Sequence, residues 1–242
     1  MKVSVIVPVF NEVTYINEIL YKLKSLKVKG FNFEFIIVES NSTDGTNEKI
    51  ICFEKSIKKQ KIKNFTFVYQ KLALGKGNAV REGIKYVNGD LIMIQDSDLE
   101  YDFNDYSNLL NVFINDETID LVIGKRVSFR NFGNFGLRAF YMNLGQIFFH
   151  NFFKLLYFVK LDDPTTMFKI FKKSTIADLE FESNRFDFDW ELICKLIRKK
   201  VKFKEISVRY DSRGFNDGKK VGLFLDPFIW FYKIIKYRII KI

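Results

Sequence analysis

The chain has 242 residues, of which 48% are hydrophobic, 28% charged and only three proline; this excludes disorder, collagen and linker arrays and suits one large domain or two small ones with a core of real size. Thirty-nine basic against 29 acidic residues give a net charge of +10, which points to a polyanionic partner (nucleic acid, a phosphate-bearing substrate or anionic lipid) without choosing among them. Cys52 and Cys194 stand far apart, which excludes a disulfide scaffold or a cysteine-based zinc site, and a single histidine, His150, excludes His-rich metal sites and counts against a Ser-His-Asp triad.

Val3 to Val9 is an apolar, β-branched run and reads as a strand. Ile16, Ile19, Leu20 and Leu23 then recur at a helical period within Asn11–Leu26. Phe33 to Val38 is a second strand, and Asn41-Ser42-Thr43-Asp44-Gly45 is a turn with capping residues that opens a helix to about Lys59. Phe65–Tyr69 reads as strand, Gly77–Val87 as helix, Asn88-Gly89 as turn, Asp90–Gln95 as strand, Asp105–Ile114 as helix and Leu121–Gly124 as a short strand. Continuously apolar strands separated by helices predict a mostly parallel sheet covered on both faces, an α/β Rossmann-like fold. Ligands of such sheets bind beyond the carboxyl ends of the strands. Polar residues stand there in this chain: Asn11-Glu12, Glu39-Ser40-Asn41 and Asp96-Ser97-Asp98.

The second half has a different character. Residues 135–161 are rich in Phe and Tyr, interrupted by His150 and Lys154. Residues 166–172 and 201–210 read as strands, and Asp189–Arg198 as a helix. The segment 223–242 mixes Phe, Trp, Tyr and Ile with Lys233, Lys236, Arg238 and Lys241. It suits a core helix and equally an amphipathic helix lying in a membrane interface. Met1 leads straight into a strand, without a charged-then-apolar leader, and no uninterrupted apolar run reaches about 18 residues. The expectation is a cytoplasmic protein, with peripheral binding to the cytoplasmic face of the membrane left open.

Asp96 and Asp98, two residues apart beyond a buried strand, can approach one Mg²⁺ or Mn²⁺ ion, whose shell often includes substrate phosphates. Lys76, Lys219 and Lys220 can complement such a site by stabilising a departing diphosphate; the latter two also read as a solvated pair in a turn. Gly75-Lys76-Gly77 lacks P-loop spacing, and no Gly-x-Gly-x-x-Gly follows the first strand.

These residues carry a resemblance. Ser4-Val5-Ile6-Val7-Pro8-Val9-Phe10-Asn11-Glu12, Val38 through Thr46, Gly75 through Gly83, Gly89 through Asp102, Ile123 through Arg126, Asp163 through Phe171 and Gly218 through Gly222 resemble, in order, the segments of family 2 glycosyltransferases of the GT-A fold, in the dolichol-phosphate mannose synthase-like branch. The likeness covers about residues 3–222, which implies a GT-A domain over 1–222 followed by the amphipathic segment 223–242, with an aromatic-rich acceptor side. It implies that Pro8, Phe10, Glu12, Glu39, Lys76, Asp96, Arg213 and Lys219 bind the nucleotide-sugar. It further implies that Asp96, Asp98 and Glu100 hold the cation, that Arg126, Arg138 and Asp163 face the acceptor, and that Asp98, Asp189, Glu191 and Arg126 carry catalysis. The chain departs from the family where Glu39-Ser40 replaces Asp-Asp and Asn41 replaces Gly.

The resemblance implies an inverting, metal-dependent transfer of a sugar from a nucleotide-diphosphate donor to a polyprenyl phosphate, in assembly of the cell envelope. A polyprenyl phosphate is already ionised and needs only positioning. A sugar or lipid hydroxyl is the alternative acceptor and needs a base, for which Asp189, Glu191 and Asp163 are the available carboxylates. A non-catalytic membrane-surface scaffold on the same fold is a rival from another class. A nucleic-acid role rests on charge alone, because no helix combines a basic stripe with base-reading side chains.

Overall fold

A computed structural model describes residues 1–127, 136–211 and 225–240, apart from the side chains of residues 127, 136–140 and 142. In chain order the elements are β1 (Lys2–Val9), α1 (Ile16–Ser25), β2 (Asn32–Glu39), α2 (Thr46–Lys59), β3 (Phe65–Tyr69), α3 (Lys76–Ile84), β4 (Leu91–Ile94), α4 (Asp105–Asn115), β5 (Leu121–Val127), α5 (Gly136–Tyr157), β6 (Lys169–Lys172), α6 (Phe188–Arg198), β7 (Phe203–Arg209) and α7 (Leu225–Ile239). A short 3₁₀ turn, Lys173–Ile176, follows β6.

The strands form one sheet in the order β3-β2-β1-β4-β6-β5-β7. The pairs β1–β2, β1–β4, β2–β3 and β5–β7 are parallel. β1 is buried from Val3 to Val9 and β4 from Leu91 to Ile94, as continuously apolar strands covered on both faces must be. The one buried polar side chain of β1, Ser4, has its hydroxyl satisfied twice: it donates to Glu34 at 2.6 Å and accepts the Gly89 N–H at 2.8 Å.

β6 runs against its neighbours, pairing antiparallel with both β4 and β5. Its first residue, Lys169, pairs with Ile123 of β5, and Ile170 pairs with Met93 of β4. A reversed strand enters the sheet at the edge where parallel strands leave it. The segment leading into β6, residues 161–168, therefore lies over the same carboxyl edge as residues 95–101.

Helix α7 has one face in the core and one turned outward. Ile234 and Tyr237 are fully buried, the Tyr157 hydroxyl of α5 donates to the Ile234 carbonyl at 2.9 Å, and Arg198 of α6 donates to the Tyr237 carbonyl at 2.7 Å. Its other face leaves Phe228 76% and Ile239 75% exposed, and α5 beside it leaves Leu155 73% exposed. Among the described residues no helix is long and apolar enough to cross a membrane.

Candidate active site

The loops after β1 and β2 are sewn together. Asn11 and Asn41 both take left-handed backbone conformations (φ 50° and 56°), which asparagine tolerates better than most residues. This explains how Asn41 can stand where the family has glycine. The Asn11 N–H donates to the Ser42 hydroxyl at 3.0 Å, and the Thr43 N–H returns a bond to the Asn11 side-chain oxygen at 2.9 Å. The Glu12 N–H donates to Thr46 Oγ1 at 2.9 Å, and the Val13 N–H to Asp44 at 3.1 Å. Glu39, 2% exposed, accepts the N–H groups of Ser42 (2.7 Å) and Asn41 (3.0 Å), one on each oxygen. Each oxygen keeps capacity for a further bond. Pro8 is buried in β1 beyond Ile6, the last residue that β4 pairs with, so its missing N–H interrupts no β1–β4 bond. Phe10 is 36% exposed and Glu12 8%.

Gly75-Lys76-Gly77 begins α3 against the segment that leads into α6. Gly75 has φ 110°, and a Cβ there would stand 2.5 Å from the Asn184 carbonyl oxygen; one on Gly77 would stand 2.7 Å from Phe188 Cβ and from the Ser183 oxygen. The two glycines permit this approach of backbones. It delivers the Lys76 ammonium to within 2.6 Å of the Asp96 carboxylate. Burial works against the charge on Lys76, but Asp96 and Asp189 outweigh it and raise its pKa.

Asp98 is 6% exposed and accepts the Glu100 N–H at 3.2 Å. Glu100 Oε2 accepts the Tyr210 hydroxyl at 2.8 Å, and its carbonyl accepts the Asp211 N–H. Among the described residues no three His, Cys, Asp or Glu side chains converge to hold a metal alone. The chemistry of the donor set still suits a hard divalent cation, because two carboxylates at one strand end supply oxygens and a bound diphosphate would supply more.

Asp189 sits on the first turn of α6, 8% exposed, 3.8 Å from the ammonium of Lys169, which is 1% exposed and also donates to the Thr166 carbonyl. Burial pushes Lys169 down to about 8 despite Asp189 and Asp163, and pushes Asp189 up despite Lys169 and Lys76. Both shifts run toward neutrality, which is expected of a buried pair too far apart for its attraction to offset desolvation. Arg126 and Asp163 form the tighter pair: Nε and Nη2 of the arginine reach the two carboxylate oxygens at 2.7 and 2.6 Å, and Nη2 also donates to Thr165 Oγ1 at 3.0 Å. The Tyr210 ring lies 5.2 Å from the guanidinium carbon. Tyr101 ties the 98–101 loop to this region, its hydroxyl accepting the Met167 N–H at 3.1 Å and lying 3.3 Å from Thr166 Oγ1.

The carboxyl edge thus gathers Lys76–Asp96, Asp98, Lys169–Asp189 and Arg126–Asp163. Glu191 is not with them. It is fully buried, accepts the N–H groups of Glu182 and Ser183 and pairs with Lys195 at 2.5 Å. Residues two apart on a helix differ by about 200° around the axis, so Asp189 facing the site sends Glu191 to the opposite side, where it braces the 180–183 segment. Arg138 lies on α5, with its side chain outside the described residues. Arg213, Lys219 and Lys220 also lie outside them.

Lys169, Tyr101 and Thr165 escape the sequence reading. The signal for Lys169 is its position inside Met167-Phe168-Lys169-Ile170-Phe171, an apolar strand with no exposed face to spare.

The model of the family described as "Glycosyl transferase family 2" matches residues 4–180. The chain belongs to that family. It is a glycosyltransferase. It is 28% identical over 240 residues to a dolichyl-phosphate beta-glucosyltransferase of Dictyostelium discoideum, covering 93% of this chain and 69% of that protein. It is 27% identical to the enzyme of the same name from Saccharomyces cerevisiae, covering 92% and 70%. A dolichol-phosphate mannosyltransferase of Pyrococcus furiosus is 26% identical, covering 98% and 65%. The fold matches that of glucosyl-3-phosphoglycerate synthase from Mycobacterium tuberculosis, solved with Mg²⁺ and UDP, at a TM-score of 0.71 and 16% identity, over 100% of this chain and 80% of that one.

Proposed function

We propose that this transferase moves a sugar from a nucleoside diphosphate sugar to a dolichyl-type polyprenyl phosphate, with inversion at the anomeric carbon. The observation that carries the reading is the set of ion pairs on one sheet edge: Lys76–Asp96 beside Asp98 at one end, Arg126–Asp163 at the other, and Lys169–Asp189 between, within electrostatic reach of both. The first suits a diphosphate, the last a second phosphate, and the middle stands where the sugar passes from one to the other. The names of the similar dolichyl-phosphate enzymes support the choice of acceptor.

An acceptor phosphate oxygen attacks the anomeric carbon, the bond to the diphosphate breaks, and its electron pair leaves with the diphosphate. Lys76 offers positive charge to that leaving group as its charge grows, which favours the transition state over the ground state. Arg126 orients the acceptor, which needs no base because phosphate is already ionised. Asp96 and Asp98 would hold Mg²⁺ or Mn²⁺, which when bound neutralises charge on the diphosphate. Glu39, Pro8, Phe10 and Glu12 line the nucleotide end.

A hydroxyl acceptor is the second reading, favoured by Asp189: a buried carboxyl whose pKa is raised is suited to take a proton. Asp189→Asn separates the two, since it abolishes transfer to a hydroxyl and leaves phosphate attack without a lost base.

The outward faces of α5 and α7 serve as a peripheral membrane contact. Phe158 (85% exposed), Phe228 and Ile239 stand out, and a cleft of about 320 Å³ between the helices is lined by Phe152, Leu155, Leu156, Phe158 and Arg238. Apolar side chains flanked by Lys154 and Arg238 suit an anionic lipid surface. Because Ile234 and Tyr237 belong to the core, the clean perturbation is Phe158→Ser with Phe228→Ser. Weakened co-sedimentation with anionic vesicles is the expected result, and unchanged binding refutes the contact.

The test of the function is a screen of UDP- and GDP-sugars with Mg²⁺ or Mn²⁺, with and without dolichyl phosphate in detergent, following nucleoside diphosphate release. Release that needs both the cation and dolichyl phosphate is expected; release indifferent to dolichyl phosphate overturns the acceptor assignment.

A further inference from the structure

We infer that His150 is a positioning residue: through Thr165 it fixes the guanidinium of Arg126 and so sets the affinity for the acceptor phosphate. The inference rests on Arg126 being the acceptor-phosphate ligand, as proposed above.

His150 lies on α5, 4% exposed, and both ring nitrogens are within hydrogen-bond distance of partners. Nδ1 stands 3.0 Å from the Asp162 carbonyl oxygen. A carbonyl only accepts, so Nδ1 carries the hydrogen; in the neutral ring Nε2 is then an acceptor. Nε2 stands 2.9 Å from Thr165 Oγ1, so the threonine hydroxyl donates to it. That leaves Thr165 Oγ1 with its lone pairs turned to Arg126, whose Nη2 donates to it at 3.0 Å. With the ring neutral, every bond in the chain Arg126→Thr165→His150→Asp162 runs in one direction; in either protonation state Nδ1 donates to the Asp162 carbonyl and Thr165 Oγ1 joins the ring to Arg126, with the Asp163 carboxylate 3.9 Å from Nε2.

The consequence falls on one edge of the arginine. Nε has one hydrogen and gives it to Asp163; Nη2 has two and gives one to Asp163 and one to Thr165. The Nε–Nη2 edge is thereby fully committed, the plane is fixed over Tyr210, and Nη1 is, on the proposed reading, the nitrogen that meets the acceptor phosphate. The far end of the chain is anchored too. The N–H groups of Asp162 and Asp163 both donate to Glu205 at 3.0 Å, and the Asp162 carboxylate pairs with Lys125 and with Lys154 of α5. Helix α5 therefore holds the acceptor arginine through its one histidine. A histidine serving only as core filling, edge-on to Trp190 at 6.4 Å, would not need this sequence of donors and acceptors.

The experiment compares His150→Asn, His150→Gln and Thr165→Val, with Arg126→Lys as control, measuring KM for dolichyl phosphate, KM for the donor, and kcat. Asn can replace the Nδ1 donor but not the Nε2 acceptor; Gln reaches the Nε2 position; Val removes only the hydroxyl. The expected result is a rise of roughly fivefold to tenfold in acceptor KM for His150→Asn and Thr165→Val, the size of one hydrogen bond. Donor KM stays unchanged, His150→Gln recovers part of the loss, and the two single effects do not add in the double variant. Should His150→Asn fold poorly, Thr165→Val, which keeps the side-chain shape, decides alone. Unchanged acceptor KM in Thr165→Val while Arg126→Lys raises it overturns the inference and leaves the acceptor reading standing. Unchanged acceptor KM in Arg126→Lys overturns both.

Discussion

Replacing Asp163 by Asn tests the electrostatics of the Arg126–Asp163 pair most cleanly, because it removes a charge and keeps the shape. The Asp163 side chain is 8% exposed and that of Arg126 17%. Removing one partner of a buried pair leaves the other charge uncompensated and costs about 3–5 kcal/mol. The residual access of Arg126 to water and the surviving amide oxygen place the loss at the lower end, about 3 kcal/mol. At about 2–4 °C per kcal/mol for a domain of this size, Tm falls by about 6–12 °C. The pH dependence gives an independent check. Burial raises the pKa of Asp163, but the bonds and charge of Arg126 outweigh it, so the folded value lies below the ordinary 3.8. A group depressed on folding stabilises fully above its unfolded pKa and loses that contribution as pH falls toward the folded one. Scanning calorimetry of both proteins should therefore show a wide gap near neutral pH that narrows below about pH 4. A gap under about 2 °C near neutral pH, or one that widens on acidification, refutes the reasoning.

Three further outcomes are expected. Asp98→Asn should reduce nucleoside diphosphate release to background while circular dichroism and Tm stay close to those of the parent; retained activity removes the assigned role. Gly77→Ala forces a methyl to 2.7 Å from Phe188 Cβ and the Ser183 oxygen; overpacking of this kind costs about 1–3 kcal/mol, and kcat should fall further than Tm accounts for because Lys76 is displaced from Asp96. An unperturbed kcat counts against the seat of Lys76. Lys169 ionises at about 8 when folded and near 10.5 when unfolded, so the unfolded chain binds more protons between those values and stability gains a positive slope with pH there. Urea titrations across that range should show the slope in the parent and its loss in Lys169→Met, and equal slopes contradict the buried-cation description.

The sheet was legible because its central strands are buried on both faces and so must be continuously apolar; Val3–Val9 and the run ending at Gln95 announce themselves for that reason. The direction of β6 was not, since four residues of Lys-Ile-Phe-Lys say nothing about which way a strand runs. Yet that reversal brings Asp163, Thr165 and Lys169 to the carboxyl edge. Asp96 and Asp98 stood out in the sequence as carboxylates two residues apart just past a buried strand. The same spacing misleads at Asp189 and Glu191, which lie on a helix and face apart. The partners of His150 come together only once α5 crosses the 161–166 segment, which its place in the sequence does not show. The amphipathic 223–242 segment left two alternatives because α7 has two apolar faces, one on α5 and α6 and one outward.

The central claim is that Asp96 and Asp98 hold a divalent ion that meets the donor diphosphate. A crystal grown with Mn²⁺ and UDP or GDP, read by manganese anomalous scattering, tests it directly. The account predicts one anomalous peak in contact with the Asp98 carboxylate and a diphosphate oxygen, with Lys76 moved from Asp96 toward the diphosphate. A nucleotide bound elsewhere, or a peak remote from both carboxylates, contradicts it.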